Sequence, residues 1–413
     1  MEEWLKDLLW RLNLVKNMNQ PDGFTRLGYT PKEDESIEVF KSEAKRLGLD
    51  IHEDAAGNVM ARWEGENPDL PAVASGSHLD TVVKGGGYDG LAGVLCALGA
   101  VKKLKGDGFT PKHPIEVIAF RSEESARFGI STIGSKAMTG LLDKSIGSVQ
   151  DFEGISIKEA VSHCGFDWDN FHKAERSEKA IKTFVELHIE QGTHIEDHDK
   201  DYGVVRGIAT PIRLKVTANG KAGHTGTTPM HKRHDAFVAL SPLVEFVNSY
   251  TKQLNEKQNT PIVATVSTVD LKPNVMNVIP STVEVGIDIR SVSDELKQEV
   301  AEAIRQKVKK IEGETDVTFD VHELVNNESI LLDDELQQSL VKIGELEGLS
   351  PHLMDSGAGH DVMNMSVKWP SGLIFIPCED GLSHHPDEFA SLADLEKGVR
   401  LLTQYYLETA KGV

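Results

Sequence analysis

Residues 74–93 read ASGSHLDTVVKGGGYDGLAG, and the way this stretch divides sets the fold. The apolar segment 72–77 reads as a strand. The glycines after it make a loop, and residues 92–104 have the composition of a helix. Strand, glycine-rich turn and helix form the repeating unit of an α/β fold with a parallel sheet. The stretch also packs His78, Asp80 and Asp89 into one short loop. His78 and Asp89 can each offer a metal a ligand, and Asp80 is near enough in sequence to orient the His78 imidazole. A histidine behind a strand is by itself more often structural than a ligand, so the rest of the chain has to decide.

The alternation extends on both sides. Residues 2–17 carry Trp4, Leu5, Leu8, Leu9, Leu12 and Leu14 at helical spacing, which predicts an amphipathic helix. Thr30 before Pro31 is an N-cap with proline at the first helical position, and that helix is expected to run to about Leu47, where Gly48 stops it. Residues 58–63 read as a strand. Residues 115–120 (IEVIAF) read as a strand buried on both faces, leading into Ser122-Glu123-Glu124. Residues 184–189 (FVELHI) are another, with His188 near the end.

From about Ala209 the texture changes. Residues 212–218 (IRLKVTA) alternate, as a half-exposed antiparallel strand does. Helical patterns at 234–254 and 294–311 stand among strands at 262–269, 282–289 and 317–321. The parallel-sheet pattern then returns, with a helix at 333–346, a strand at 372–377 and a helix at 392–410. The expected architecture is α/β, a mainly parallel sheet with helices on both faces. Its catalytic domain is discontinuous, 1–208 and 326–413, and is interrupted by an inserted α+β lid or dimerisation domain at 209–325.

Composition narrows the function. The 413 residues carry a formal net charge of -21, which argues against nucleic acid or an anionic membrane as partner. Solubility is the plain reading of that acidity. Three cysteines (Cys96, Cys164, Cys378) with no CxxC spacing fit a reducing cytoplasm. The start MEEWLKDLL is not a secretory signal, and no apolar run approaches the length of a membrane span. The expected location is cytoplasmic.

Four separate stretches place metal-type ligands at or just beyond the carboxyl ends of predicted strands: His78 with Asp89, Glu123-Glu124, His188, and His384 in GLSHHPDEF. In an open parallel sheet that edge is where ligands bind. Imidazole and carboxylate together suit Zn²⁺ or Mn²⁺. Such a set can hold two ions about 3.5 Å apart, which lower the pKa of a shared water and polarise a carbonyl. A free carboxylate is then needed as general base. Adjacent glutamates diverge, so one can ligate while the other faces the water.

The motifs GSHLDT (76–81), GGGYDGLAGV (85–94), SEESARFG (122–129), GSKAMTG (134–140), ELHIEQG (186–192), HTGTTPM (224–230), NVIP (277–280), DIR (288–290), SGAGHD (356–361) and GLSHHP (381–386) occur in this order along nearly the whole chain. On these motifs the chain resembles the di-metal aminoacylase/carboxypeptidase-like amidohydrolases. It is more closely similar to their branch that cleaves N-carbamoyl compounds: N-carbamoyl-L-amino acid hydrolases, β-ureidopropionase, and allantoate and ureidoglycolate amidohydrolases.

The resemblance implies two divalent ions per subunit, Zn²⁺ or Mn²⁺. It gives His78, Asp89 and His188 to one and Asp89, Glu124 and His384 to the other, with Asp89 bridging. It places Glu123 on the general base and Asp80 on the carboxylate that orients His78. Gln191, His224, Asn277, Arg290 and Gly359 fall on positions that contact substrate, a small ureido acid. The inserted domain of such proteins also forms the homodimer, and His224 is expected to reach the partner's site and polarise the scissile carbonyl. Arg290, at a strand end, can grip a substrate carboxylate.

Ser122, Ser125 and His385 depart from the residues many relatives carry at those places, which bears on substrate identity. His360 and Asp361 are read as support rather than ligands. His194, His198, His231 and His385 are read as surface or loop histidines, and Cys96 as a buried core residue. The expected activity is hydrolysis of the carbamoyl C–N bond of an N-carbamoyl-L-amino acid or allantoate, releasing ammonia and CO2. The alternatives are a ureidoglycolate or β-ureidopropionate hydrolase, a di- or aminopeptidase of the same superfamily and, last, a non-catalytic binding protein.

Overall fold

The structure, a computed structural model, describes residues 1–411. It divides into two compact units. The first holds Met1–Arg206, Leu332–Met354 and the chain from His360 onward; the second holds Gly207–Leu331 and the short return Asp355–Gly359.

The first unit is built on a mixed sheet. Its strands run in the order Asp50–Glu53, Val59–Trp63, Ile115–Phe120, Ala72–His78, Ile181–Ile189, Ser371–Ile376, Tyr202–Ile208. The four central strands from Ile115–Phe120 to Ser371–Ile376 are parallel to one another. The strands at the two ends join antiparallel. Every residue of Ala72–His78, Ile115–Phe120 and Ser371–Ile376 is buried, the signature of strands covered on both faces. Val73, Val117, Val185, Leu187 and Ile374 meet the helices Glu2–Leu12, Leu91–Gly106 and Leu392–Ala410 in one large core. Leu91–Gly106 is apolar nearly all round, as a helix enclosed by its neighbours must be.

Burial on both faces leaves no place for a free charge, yet Ile115–Phe120 contains Glu116, only 2 % exposed. Arg62, directly opposite on the neighbouring strand, donates to it at 2.7 Å, and Arg176 donates at 2.6 and 3.1 Å. Two guanidinium groups hold this carboxylate below the usual glutamate range against the desolvation of burial.

The second unit is a four-stranded antiparallel sheet in the order Thr318–Asn326, Pro211–Asn219, Thr282–Arg290, Val263–Lys272. Alternate residues of its two inner strands (Ile212, Leu214, Val216; Val283, Val285, Ile287) pack against helices Ala236–Lys257 and Asp294–Glu314. Asp235 and Ser293 cap the two helices through their first backbone N–H groups.

Some elements differ from the sequence expectation. The first helix ends at Leu12 and not near Asn17. The strands Tyr202–Ile208 and Pro351–Ser356 and the short helices Ile133–Thr139 and Ile157–His163 were not anticipated. Cys96, Cys164 and Cys378 form no disulfide, and among the described residues no helix is long and apolar enough to cross a membrane.

Candidate metal centre

The parallel strands deliver their polar residues to one edge. His78 ends the strand Ala72–His78, Glu123 and Glu124 follow Ile115–Phe120, and His188 is the penultimate residue of Ile181–Ile189. His384 lies in the loop after Ser371–Ile376. Asp89 comes from the glycine-rich loop before Leu91–Gly106. There Gly90 has φ +64°, and a Cβ on it would lie 2.4 Å from the His78 ring. Only glycine allows the loop to turn this close to the imidazole.

Asp89 is at the middle. Its Oδ1 is 3.4 Å from His78 Nε2 and 3.1 Å from His188 Nε2. Its Oδ2 is 3.4 Å from His384 Nε2, which is 3.3 Å from Glu124 Oε1. His78, Asp89 and His188 thus form one group of donors within 4.8 Å of one another, and Asp89, Glu124 and His384 a second. His78 also groups with Glu123 and Glu124.

The donor set fits a pair of divalent cations. One carboxylate oxygen faces each group, the geometry of a bridge. Nδ1 of His78 donates to the Asp80 carbonyl at 3.0 Å and Nδ1 of His188 to the Ile189 carbonyl at 2.9 Å, so the lone pair of each ring is on Nε2, where that of His188 accepts from Gly90 N at 3.0 Å. The carboxylates draw protons onto the rings. His384 is pushed up to about 10 by Asp89 and Glu124, and the same carboxylate-rich surroundings raise His78 and His188 against the desolvation of burial. A cation occupying the place of those protons satisfies the same electrostatics.

Asp80 does more than the sequence implied. Its Oδ1 is 3.4 Å from His78 Nδ1, beyond a good hydrogen bond, and the ring is held by the Asp80 backbone carbonyl. The carboxylate accepts instead from Glu123 N and Glu124 N, both at 3.0 Å. One aspartate therefore ties the loop carrying His78 to the loop carrying the glutamate pair. Glu123 is buried, and desolvation, with Glu124, Asp361 and Asp80 nearby, raises its carboxyl well above the ordinary range.

Gln191 joins this group: its Nε2 donates to Asp89 Oδ2 at 2.7 Å and to Ser383 Oγ at 3.0 Å. Ser122, Gln191 and His384 all have φ between 50° and 59°. Strained backbone recurs on the loops that converge here. His360 is buried with its ring centroid 4.5 Å from that of His188, and Asp361 accepts from Ser135 Oγ at 2.5 Å.

Two buried glutamates escaped the sequence reading. Glu388 accepts from Tyr88 N and Asp89 N at 2.9 and 3.0 Å with one oxygen, and from Ser383 Oγ and His384 N at 3.2 and 3.3 Å with the other. Burial, with Asp89 nearby, pushes it up to about 7. It stands four residues after His384 in GLSHHPDEF, but that spacing does not show what its carboxylate meets. Glu33 accepts from Tyr29 N at 2.6 Å and from Ser122 N at 3.0 Å, bracing the turn before Glu123. Thr30 and Glu33 have capping-box spacing, so the sequence hinted at a helix start but not at this second duty.

The remaining expected residues, His224, Asn277, Arg290 and Gly359, belong to the second unit. There Thr225 N donates to the Asn277 carbonyl at 3.1 Å, and His224 bridges to Val278, so His224 and Asn277 are neighbours. Gly226 N donates to His224 Nδ1 at 3.0 Å, which puts the ring proton on Nε2. Arg290 ends its strand with Nε 2.7 Å from Asp288 Oδ1 and Nη1 2.9 Å from the Gly357 carbonyl.

Imidazole and carboxylate donors gathered at the carboxyl edge of a parallel sheet suit a hydrolase that works with divalent cations. Residues 74–408 match the model of peptidase family M20/M25/M40, and the chain belongs to that family. It is 36% identical over 407 residues to an N-carbamoyl-L-amino acid amidohydrolase of Geobacillus stearothermophilus, covering 98% of each chain. It is 35% identical over 381 residues to an allantoate amidohydrolase of Escherichia coli, covering 92% of this chain and 91% of the relative. Among solved structures, an amidase of the hydantoinase/carbamoylase family from Burkholderia multivorans superposes with a TM-score of 0.91 at 28% identity, covering 100% of this chain and 98% of that one.

Proposed function

We propose that the protein is a metal-dependent amidohydrolase that cleaves the carbamoyl C–N bond of a linear N-carbamoyl acid, an N-carbamoyl-L-amino acid or allantoate, releasing ammonia and CO2. The observation that carries this reading is Asp89, whose two oxygens each face a separate group of imidazole and carboxylate donors. In this reading His78, Asp89 and His188 hold one ion and Asp89, Glu124 and His384 the other. Bound there, Zn²⁺ or Mn²⁺ supplies Lewis acidity and makes a water more acidic.

The chain's own residues do the rest. Glu123 takes the proton of the attacking water and passes it to the departing nitrogen. Asp80 positions Glu123 and Glu124 by accepting their backbone N–H groups. His224 is exposed, with its proton on Nε2, the form that can donate to a developing oxyanion. The three bonds that Arg290 makes to Asp288 and Gly357 leave one N–H on each terminal nitrogen, enough for a bidentate hold on the substrate carboxylate. Gln191 and Asn277 offer amide groups matched to a ureido N–H and C=O, and Gly359 lets the backbone approach. The amine leaves, and the carbamate falls apart into ammonia and CO2. The second unit serves as the dimerisation surface; its edge strand Val263–Lys272 leaves Val263 and Val269 exposed, as a strand that pairs with another chain does.

The test is ammonia release from N-carbamoyl-L-amino acids, allantoate and ureidoglycolate, beside a panel of dipeptides. The expected result is turnover of a carbamoyl acid that is lost on chelation and restored by Mn²⁺ or Zn²⁺. Glu123→Gln is expected to lower kcat by about 10²- to 10⁴-fold while keeping its metal. Full activity after chelation, or hydrolysis of dipeptides alone, overturns the reading.

A further inference from the structure

We propose that His194, His198 and His352 form a separate site for a zinc-type divalent cation on the first unit. His194 and His198 stand four residues apart, on the helical turn His194–Asp197 and at its C-cap, so they share one face. His352 comes from the strand Pro351–Ser356. A ring nitrogen of each lies within 4.8 Å of the other two. The His198 and His352 rings stack with centroids 4.3 Å apart, and His194 lies 6.4 Å from His352. Three imidazole nitrogens around one tetrahedral zinc stand about 3.4 Å apart, so the site closes when the three rings turn out of their stack and aim their nitrogens at one point.

The surroundings prepare the rings. Asp201 N donates to the Ser350 carbonyl at 3.0 Å, and its carboxylate accepts from Ser350 N at 2.8 Å and Ser350 Oγ at 2.9 Å. These bonds pin the chain just before His352 to the loop just after His198. Nδ1 of His198 donates to the His194 carbonyl at 2.7 Å, leaving Nε2 as the ligand atom.

The chemistry differs from that around Asp89. Three imidazoles with no carboxylate in the set favour Zn²⁺, Ni²⁺ or Cu²⁺ over Mn²⁺, Mg²⁺ or Ca²⁺, which prefer oxygen donors. His194 and His198 are exposed, so water completes the coordination. A cation bound there ties the segment following His188 and Gln191 to the strand that carries His352. The spacing of His194 and His198 was in the sequence, but only the fold brings His352 to them.

The experiment is zinc content by elemental analysis after zinc loading and gel filtration of wild type, His198→Gln and His352→Gln. Each variant is expected to hold one zinc ion fewer per chain than wild type, whatever number the donors around Asp89 retain, with unchanged circular dichroism. A second measurement needs no variant. Carbethoxylation of His194 and His198 in the wild-type protein, mapped by mass spectrometry, is expected to slow at least about tenfold with Zn²⁺ and not with Mg²⁺. Equal zinc content in all three proteins, or modification that zinc does not slow, overturns the proposal.

Discussion

Glu388 touches no donor nitrogen of the proposed metal centre, yet two of the three loops that supply the second donor group, those of Asp89 and His384, hang from it. One of its oxygens takes the backbone of Tyr88 and Asp89, and the other takes Ser383 and His384. Removing it frees Asp89 and His384 together. Glu388→Ala is therefore expected to weaken metal affinity by about 10- to 100-fold, the usual cost of losing a partner that orients ligands. Glu388→Gln should recover part of that loss, because its amide oxygen can still accept from Tyr88 N and Asp89 N. Metal titration of both chelated variants checks this. Equal losses in the two, or none in either, would show that packing alone holds these loops.

The secondary structure elements were legible where one physical signal dominated. The strands Ile115–Phe120 and Ser371–Ile376 are mostly apolar because neighbours cover both faces, and that composition marks them in the sequence. The inner strands of the second unit alternate because helices cover only one face. Pro351–Ser356 was missed because PHLMDS has neither pattern: it is half-buried and carries His352 and Asp355. Ile133–Thr139 is too short for periodicity to register, and its N-cap Thr132 adopts φ 55°, a conformation set by tertiary contacts. The donors around Asp89 could be read from motif spacing, since each ends a strand or opens a loop. Glu33 and Glu388 could not, because their partners are backbone groups that only the folded chain assembles.

Glu116 makes the same point energetically, and here the element gives a prediction. Its strand is buried on both faces, so the carboxylate stands only because Arg62 and Arg176 flank it. Glu116→Gln leaves Arg176 without its counter-charge and Arg62 with only the exposed Glu64, and should cost about 3 kcal/mol at pH 7. Because the folded carboxyl sits below the usual glutamate value of 4.5, its contribution is present above that value and fades as pH falls through the lower folded one. Thermal midpoints of wild type and variant should therefore lie well apart at neutral pH and draw together as pH falls below 4.5. A gap that stays constant into acid would assign the loss to packing.

At the scale of the molecule, the residues of the proposed chemistry fall in two units. The donors and Glu123 lie in the first; His224, Asn277 and Arg290 lie in the second. We propose that a dimer completes each site, with His224 supplied by the partner. A hybrid dimer separates this from completion within one chain. One subunit carries Glu123→Gln and a first affinity tag; the other carries His224→Ala and a second, and the hybrid is purified through both. If His224 acts across the dimer, the second subunit's site has its own Glu123 and the partner's His224. One of two sites is then intact, and the hybrid should show about half the wild-type activity although each parent is nearly inactive. If His224 acts within its own chain, both sites of the hybrid lack one group and it stays as inactive as the parents. A protein that never passes through both tags has no stable dimer, and that result too would overturn completion by a partner.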